Sequence, residues 1–158
     1  MKIYFPWIGL VARLILGGTM VAAGYLKIDE LDKLQMAVRS FELLPIWLAN
    51  FLGIFLPFFE LAVGLLLIVG AATRVSAALI GLLMIAFIIG IIQAWARGLS
   101  IDCGCFGGGG PVAPGTANYT TPLLRDFGLL ALSIYLFYLP QSKFALDRHS
   151  SSAETTGE

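Results

Sequence analysis

Side chains able to do chemistry are scarce in this chain. Of 158 residues only 13% are charged, there is one histidine, His149, and there are two cysteines. A zinc site needs four ligands, and His149 lies in a polar tail remote from both cysteines, which argues against a metal held by one copy of the chain. Ten basic and ten acidic residues leave a net charge of zero. No basic field exists to attract nucleic acid and no acidic tract to store cations, so neither partner class is supported.

What the chain has instead is apolar surface. Hydrophobic residues make up 58% of it, and the mean hydropathy of +0.87 is too high for an ordinary soluble domain. Crossing a hydrocarbon layer of about 30 Å takes roughly 20 helical residues, and four apolar runs approach that length. They extend from about Pro6 to Leu26, Leu48 to Gly70, Val75 to Ala96 and Leu123 to Leu139. The expected fold is therefore all-α, a four-transmembrane-helix bundle occupying residues 1–147, followed by a disordered polar tail over 148–158. The first run is long and holds Arg13, and no compact small-residue cleavage site follows it, so it is expected to be a retained helix and not a signal peptide.

Between the first two spans, apolar residues at 28, 31, 34, 38 and 41 recur at helical spacing and predict a short amphipathic surface helix ended by Pro45. It is read as a shield over the bundle end in preference to a partner-binding helix. The link Ala71-Ala72-Thr73-Arg74 is a tight turn, which makes the second and third spans antiparallel neighbours. Gly17-Gly18, Gly24, Gly64 and Gly81 are expected to be close-packing sites between helices.

Both cysteines fall in one motif, Asp102-Cys103-Gly104-Cys105-Phe106-Gly107, just beyond the third span. Residues two apart in a bent chain can bring their Cα atoms within disulfide range, more easily with glycine between them. Such a ring is small, and strain makes a disulfide easier to reduce, which suits an exchanging pair better than a permanent staple. A strained structural disulfide and two inert thiols remain alternatives. Strain would make the pair more oxidising, whereas the preceding helix C-terminus and Asp102 disfavour thiolate and Arg97 and Arg125 oppose them, so the direction of electron flow stays open. The run Gly107–Gly110 with Pro111 and Pro114 reads as a mobile flap or a plain connector beside the pair.

Lysine and arginine are nearly balanced on the two sides and do not set the orientation. Cycling disulfides belong outside the reducing cytosol, so the cysteines are expected on the periplasmic side of a bacterial inner membrane, with both termini cytoplasmic. Arg13, Glu60 and Gln93 fall within spans, where a charge must find a partner or water. An Arg13–Glu60 ion pair is one expectation. The other is a polar cavity of these three residues that holds a quinone headgroup or relays protons. Arg125 and Asp126 should sit at the membrane boundary beneath the cysteines, Arg125 within reach of Asp102.

These residues, with Gly24-Tyr25-Leu26-Lys27, Leu44-Pro45, Pro57, Glu60-Leu61 and the CGCFG run, resemble the MauE/DoxX family of redox-associated membrane proteins, the CGCFG run being similar to the MauE branch. The resemblance extends to about Leu139. It implies a four-helix membrane bundle working with a thioredoxin-like periplasmic partner, with Cys103 and Cys105 as the redox pair, either in maturation of a periplasmic redox protein or in exchange with the quinone pool. No covalently bound cofactor is implied. The quadruple glycine and the proline-rich extension are not part of that pattern. The alternative function is a non-catalytic membrane subunit that anchors or assembles a larger respiratory or periplasmic redox complex. A transporter is the weaker choice, since neither an internal repeat nor a broken-helix pattern is present.

Overall fold

Long apolar runs dictate long helices, because a backbone removed from water must satisfy its own N–H and C=O groups. The computed structural model describes residues 5–104 and 109–139. Within these, the elements in chain order are α1 (Phe5–Ile28), α2 (Leu31–Ser40), α3 (Ile46–Val69), α4 (Thr73–Ala96), β1 (Ile101–Asp102), β2 (Gly110–Pro111) and α5 (Thr120–Tyr138). The chain is mostly helical, as expected. Three helices are long and apolar enough to cross a membrane: Trp7–Ile28, Ile46–Val69 and Thr73–Ala96, with mean hydropathies of 1.6, 2.5 and 2.8. The expected fourth span coincides with α5, which has 19 residues and carries Arg125 and Asp126 near its start, and it is not one of those three. The tail expected to be disordered lies outside the described residues.

Local chemistry sets the helix ends. Pro45 takes an extended conformation before α3, and its carbonyl accepts from the Leu48 and Ala49 amides. Gly70 closes α3 with φ of 76°, a left-handed conformation that glycine adopts without Cβ strain. Its amide and that of Ala71 turn back onto the Leu66 carbonyl. The short turn then makes α3 and α4 antiparallel neighbours.

Glycine governs the α1–α3 seam. A Cβ added to Gly17 would lie 3.0 Å from the Gly64 carbonyl oxygen, and one added to Gly64 would lie 2.9 Å from that of Gly17. Further along, a Cβ on Gly24 would sit 2.7 Å from the Pro57 carbonyl oxygen. Gly81 abuts Ser133, whose hydroxyl donates to the Ala77 carbonyl at 2.6 Å and so ties α5 to α4. Gly18 differs from its expected role, because nothing lies within 4 Å of where its Cβ would be. One residue along a helix turns the side chain about 100°, enough to leave the seam.

Leu16, Met20, Val63, Leu67, Ile80, Met84, Leu129 and Leu136 form the buried core. Outside it, Phe51, Ile54, Phe58, Leu65, Leu82, Ile89 and Phe127 are exposed, an apolar belt far beyond what a soluble monomer tolerates and suited to lipid. α2 packs on α3 with Leu34 and Ala37 buried and Gln35 against Gly53, the short helix anticipated from the helical spacing.

Candidate functional site

Beyond α4, the chain folds back on itself. β1 and β2 pair antiparallel, Ile101 with Pro111 and Asp102 with Gly110, and the Val112 amide donates to the Ser100 carbonyl at 2.9 Å. The segment expected to be a flap is therefore, from Gly109 onward, the return strand of a hairpin; Gly107 and Gly108 lie outside the described residues. Glycine is required here for a steric reason. Gly109 has φ of 99°, and a Cβ on it would lie 2.6 Å from Gly104 Cα and 3.0 Å from Ala37 Cβ, so the two sides of the tip close tightly against α2. Tyr119 anchors the base, donating to the Leu99 carbonyl, accepting from the Ile101 amide at 3.3 Å and stacking on Trp95.

Cys103 stands at the tip of this hairpin, half-buried and packed with Ile88, Ile91 and Leu123. Cys105 lies outside the described residues. Asp102 is exposed. Arg97 donates to the carboxylate of Glu42 at 2.6 Å and to the Phe41 carbonyl at 3.3 Å, fastening the end of α4 to the turn after α2.

Beneath the hairpin is a cavity of about 240 Å³. Its walls are apolar, among them Leu34 and Val38 of α2, Phe41, Leu56 of α3 and Phe87 of α4. Cys103 and Lys27 are the titratable side chains among the described residues that line it. Lys27 closes α1 and is buried, with 1% of its surface exposed. Its ammonium donates to both carboxylate oxygens of Glu60 at 2.7 Å and lies 5.4 Å from the centre of the Phe87 ring.

Glu60 thus has Lys27 and not the expected Arg13 as its ion-pair partner. The reason is helix register. The seam sets Gly24 against Pro57 and Leu61, and Gly17 against Gly64 and Ile68, so Glu60 faces the last turn of α1. Arg13, about 21 Å back along α1 by helical rise, belongs with the far end of α3. Lys27 continues the buried stripe Leu16, Met20 and Ala23 at helical spacing, one residue past the apolar run.

Glu60 also borders a cleft of about 10 Å³ together with Arg125 and Asp126. Arg125 donates to Asp126 Oδ1 through Nε at 3.0 Å and through a terminal nitrogen at 2.8 Å, so the bonds expected toward Asp102 go at least in part inward. Asp126 is fully buried, and its Oδ2 has no hydrogen-bond partner among the described residues. The structure therefore lines up Cys103, Lys27, Glu60 and Asp126 across two adjoining spaces. It does not gather Arg13, Glu60 and Gln93, because Gln93 sits in the last turn of α4 and lines neither space. Among the described residues no cluster of histidine, cysteine, aspartate and glutamate is arranged to hold a metal.

The family described as "Methylamine utilisation protein MauE" matches residues 5–139. The protein named "Methylamine utilization protein MauE" of Methylorubrum extorquens is 34% identical over 105 residues, which is 66% of this chain and 56% of that relative. The match thus spans little more than half the relative's length. No solved structure matches the chain.

Proposed function

The chain belongs to the MauE family, and on that premise we propose that it is a membrane thiol–disulfide redox protein whose working pair is Cys103 and Cys105. In this reading two thiols become one disulfide and release two electrons and two protons. The acceptor is either the disulfide of a thioredoxin-like periplasmic partner, which becomes a dithiol, or a quinone, which becomes a quinol. Run backward, the chain's disulfide becomes two thiols while the partner's dithiol becomes a disulfide, the direction that supports disulfide formation during maturation of a periplasmic redox protein. The observation that carries the reading is that Cys103 borders an apolar cavity whose other titratable wall residue is a buried lysine. An inert surface thiol needs neither.

An apolar space with one cationic group suits a quinone ring better than the three scattered residues Arg13, Glu60 and Gln93 do. In this reading α5 is the fourth span. It is supported by an outward face of Leu124, Phe127, Ile134 and Phe137, while Asp126 is buried. The hairpin then lies on the periplasmic side of the inner membrane with both termini in the cytoplasm, where redox compartment requires them.

The test is trapping. With one cysteine replaced, Cys103→Ser or Cys105→Ser, the remaining thiol should hold a partner as a mixed disulfide. The reading fails if neither variant captures one and the wild-type pair keeps a single redox state in quinone-reduced and quinone-oxidised membranes. That outcome would favour a non-catalytic anchor or assembly subunit.

A further inference from the structure

A thiol attacks as its thiolate, so Cys103 must lose a proton before any exchange, and a cation nearby makes that loss easier. Asp102, beside Cys103 in the chain, works against it. The ammonium of Lys27 works for it, and the same cavity borders both groups. An ammonium already carrying its proton is not a base by itself. Its bonded partner is, because Glu60 receives two of its hydrogens at 2.7 Å.

We propose that the buried Lys27–Glu60 pair is the proton acceptor of the Cys103 thiol, positioned across the cavity beneath the hairpin. The proposal rests on the reading that Cys103 is the attacking thiol. In the step, Lys27 first passes one of its protons to Glu60, forming an O–H bond, and the lone pair this frees takes the proton of the Cys103 S–H bond, which breaks, through a water in the cavity. The products are a Cys103 thiolate, a Lys27 ammonium and a neutral Glu60. No electrons move, and charge is conserved, since the thiolate gains one negative charge as the buried cluster gains one positive.

The surroundings fit this use. The charged groups around Glu60 are Lys27 from α1 and Arg125 and Asp126 from α5, which with Glu60 itself make two of each sign, so one added proton turns a neutral cluster cationic next to the thiolate. α4 contributes the Phe87 ring and α2 contributes Leu34 and Val38, none of them titratable. Onward from Glu60, the cleft has room for about one water. It ends on Asp126, whose buried Oδ2 can receive the proton next.

The experiment uses full-length protein in membranes, in a Cys105→Ser background where Cys103 is the only cysteine, kept reduced. The rate of alkylation by a small neutral maleimide is followed across a pH series. Glu60→Gln leaves the buried cluster the same extra positive charge that a proton on Glu60 gives it, and should speed alkylation near neutral pH about tenfold, the equivalent of lowering the thiol midpoint by about one unit. The apolar pair Lys27→Met with Glu60→Leu, which removes the cation and the acceptor together, should slow alkylation instead, and it decides the matter should Glu60→Gln not accumulate. Ser133→Ala, which loosens the α4–α5 contact away from the cavity, should leave the profile in place. Profiles that superimpose on the parent in both Glu60→Gln and the apolar pair would overturn the proposal. Alkylation reads the Cys103 thiol whether or not a partner exchanges with it, so this failure and the failure of trapping are separate results.

Discussion

Breaking the Lys27–Glu60 pair from one side should be far worse than removing it whole. Both side chains are 1% exposed and joined by two bonds of 2.7 Å, so deleting either leaves a charge without its counter-ion inside the bundle. Removing one partner of such a pair costs about 3–5 kcal/mol, whereas replacing both by apolar groups of similar volume is near neutral or stabilising. Lys27→Met should fall near the lower bound, about 3 kcal/mol, because Arg125 shares the cleft with Glu60 and offsets part of the orphaned charge. For a chain of this length about 2–4 °C accompanies each kcal/mol, so the melting temperature should drop by about 6–12 °C. Glu60→Leu leaves Lys27 the Phe87 ring and the more distant charge of Asp126, and should cost a similar amount. Lys27→Met with Glu60→Leu should return to within about 1 kcal/mol of the parent, a coupling of several kcal/mol between the sites. Melting is followed by tryptophan fluorescence of purified protein in one detergent. Single variants within about 1 kcal/mol of the parent, or a double variant as unstable as the worse single, would refute the buried-pair argument.

Tyr119→Phe removes the hydroxyl that holds Leu99 and Ile101, at a loss of roughly 1 kcal/mol per bond and about 2 kcal/mol together, and should speed alkylation of Cys103 about thirtyfold with little change in overall melting; unchanged alkylation would show that Tyr119 does not anchor the hairpin. Gly109→Ala should open the hairpin to proteolysis, because its Cβ would strike Gly104 at 2.6 Å, while Gly115→Ala, at φ of 82° but in open space, should incur only the backbone penalty of about 1 kcal/mol. Limited digestion of the two variants at equal rates would contradict the steric argument. Tags on the two termini should be accessible from the same side of the membrane, and accessibility from opposite sides would rule out α5 as a span.

Length and hydropathy made the long helices legible. The runs read as 48–70 and 75–96 are helices over 46–69 and 73–96. Helical spacing likewise disclosed α2, and a run of glycines marked the α1–α3 seam apart from Gly18. The hairpin was not legible, because two-residue strands built of Ile-Asp and Gly-Pro have no alternation to detect and a glycine run reads as flexibility. The partner of Glu60 was misjudged for another reason. Depth counted inward from a span end treats each helix alone, whereas Gly17 and Gly24 dictate which turns of α1 and α3 meet. Lys27 also falls just past the apolar run, where a charged residue reads as interfacial, although the helix continues through it and buries it.

The seam between α1 and α3 is made of atoms that cannot be trimmed. At Gly17, Gly24 and Gly64 a substitution can only add bulk, and the obstruction at each includes main-chain oxygen or nitrogen, with no rotamer to move aside. The outward-facing Ile15, Leu26, Leu65 and Leu66, one or two positions away, can be exchanged for almost any apolar residue. Sequence drift in this bundle is therefore channelled onto its outside, and a random library should return these glycines nearly unaltered from every folded survivor.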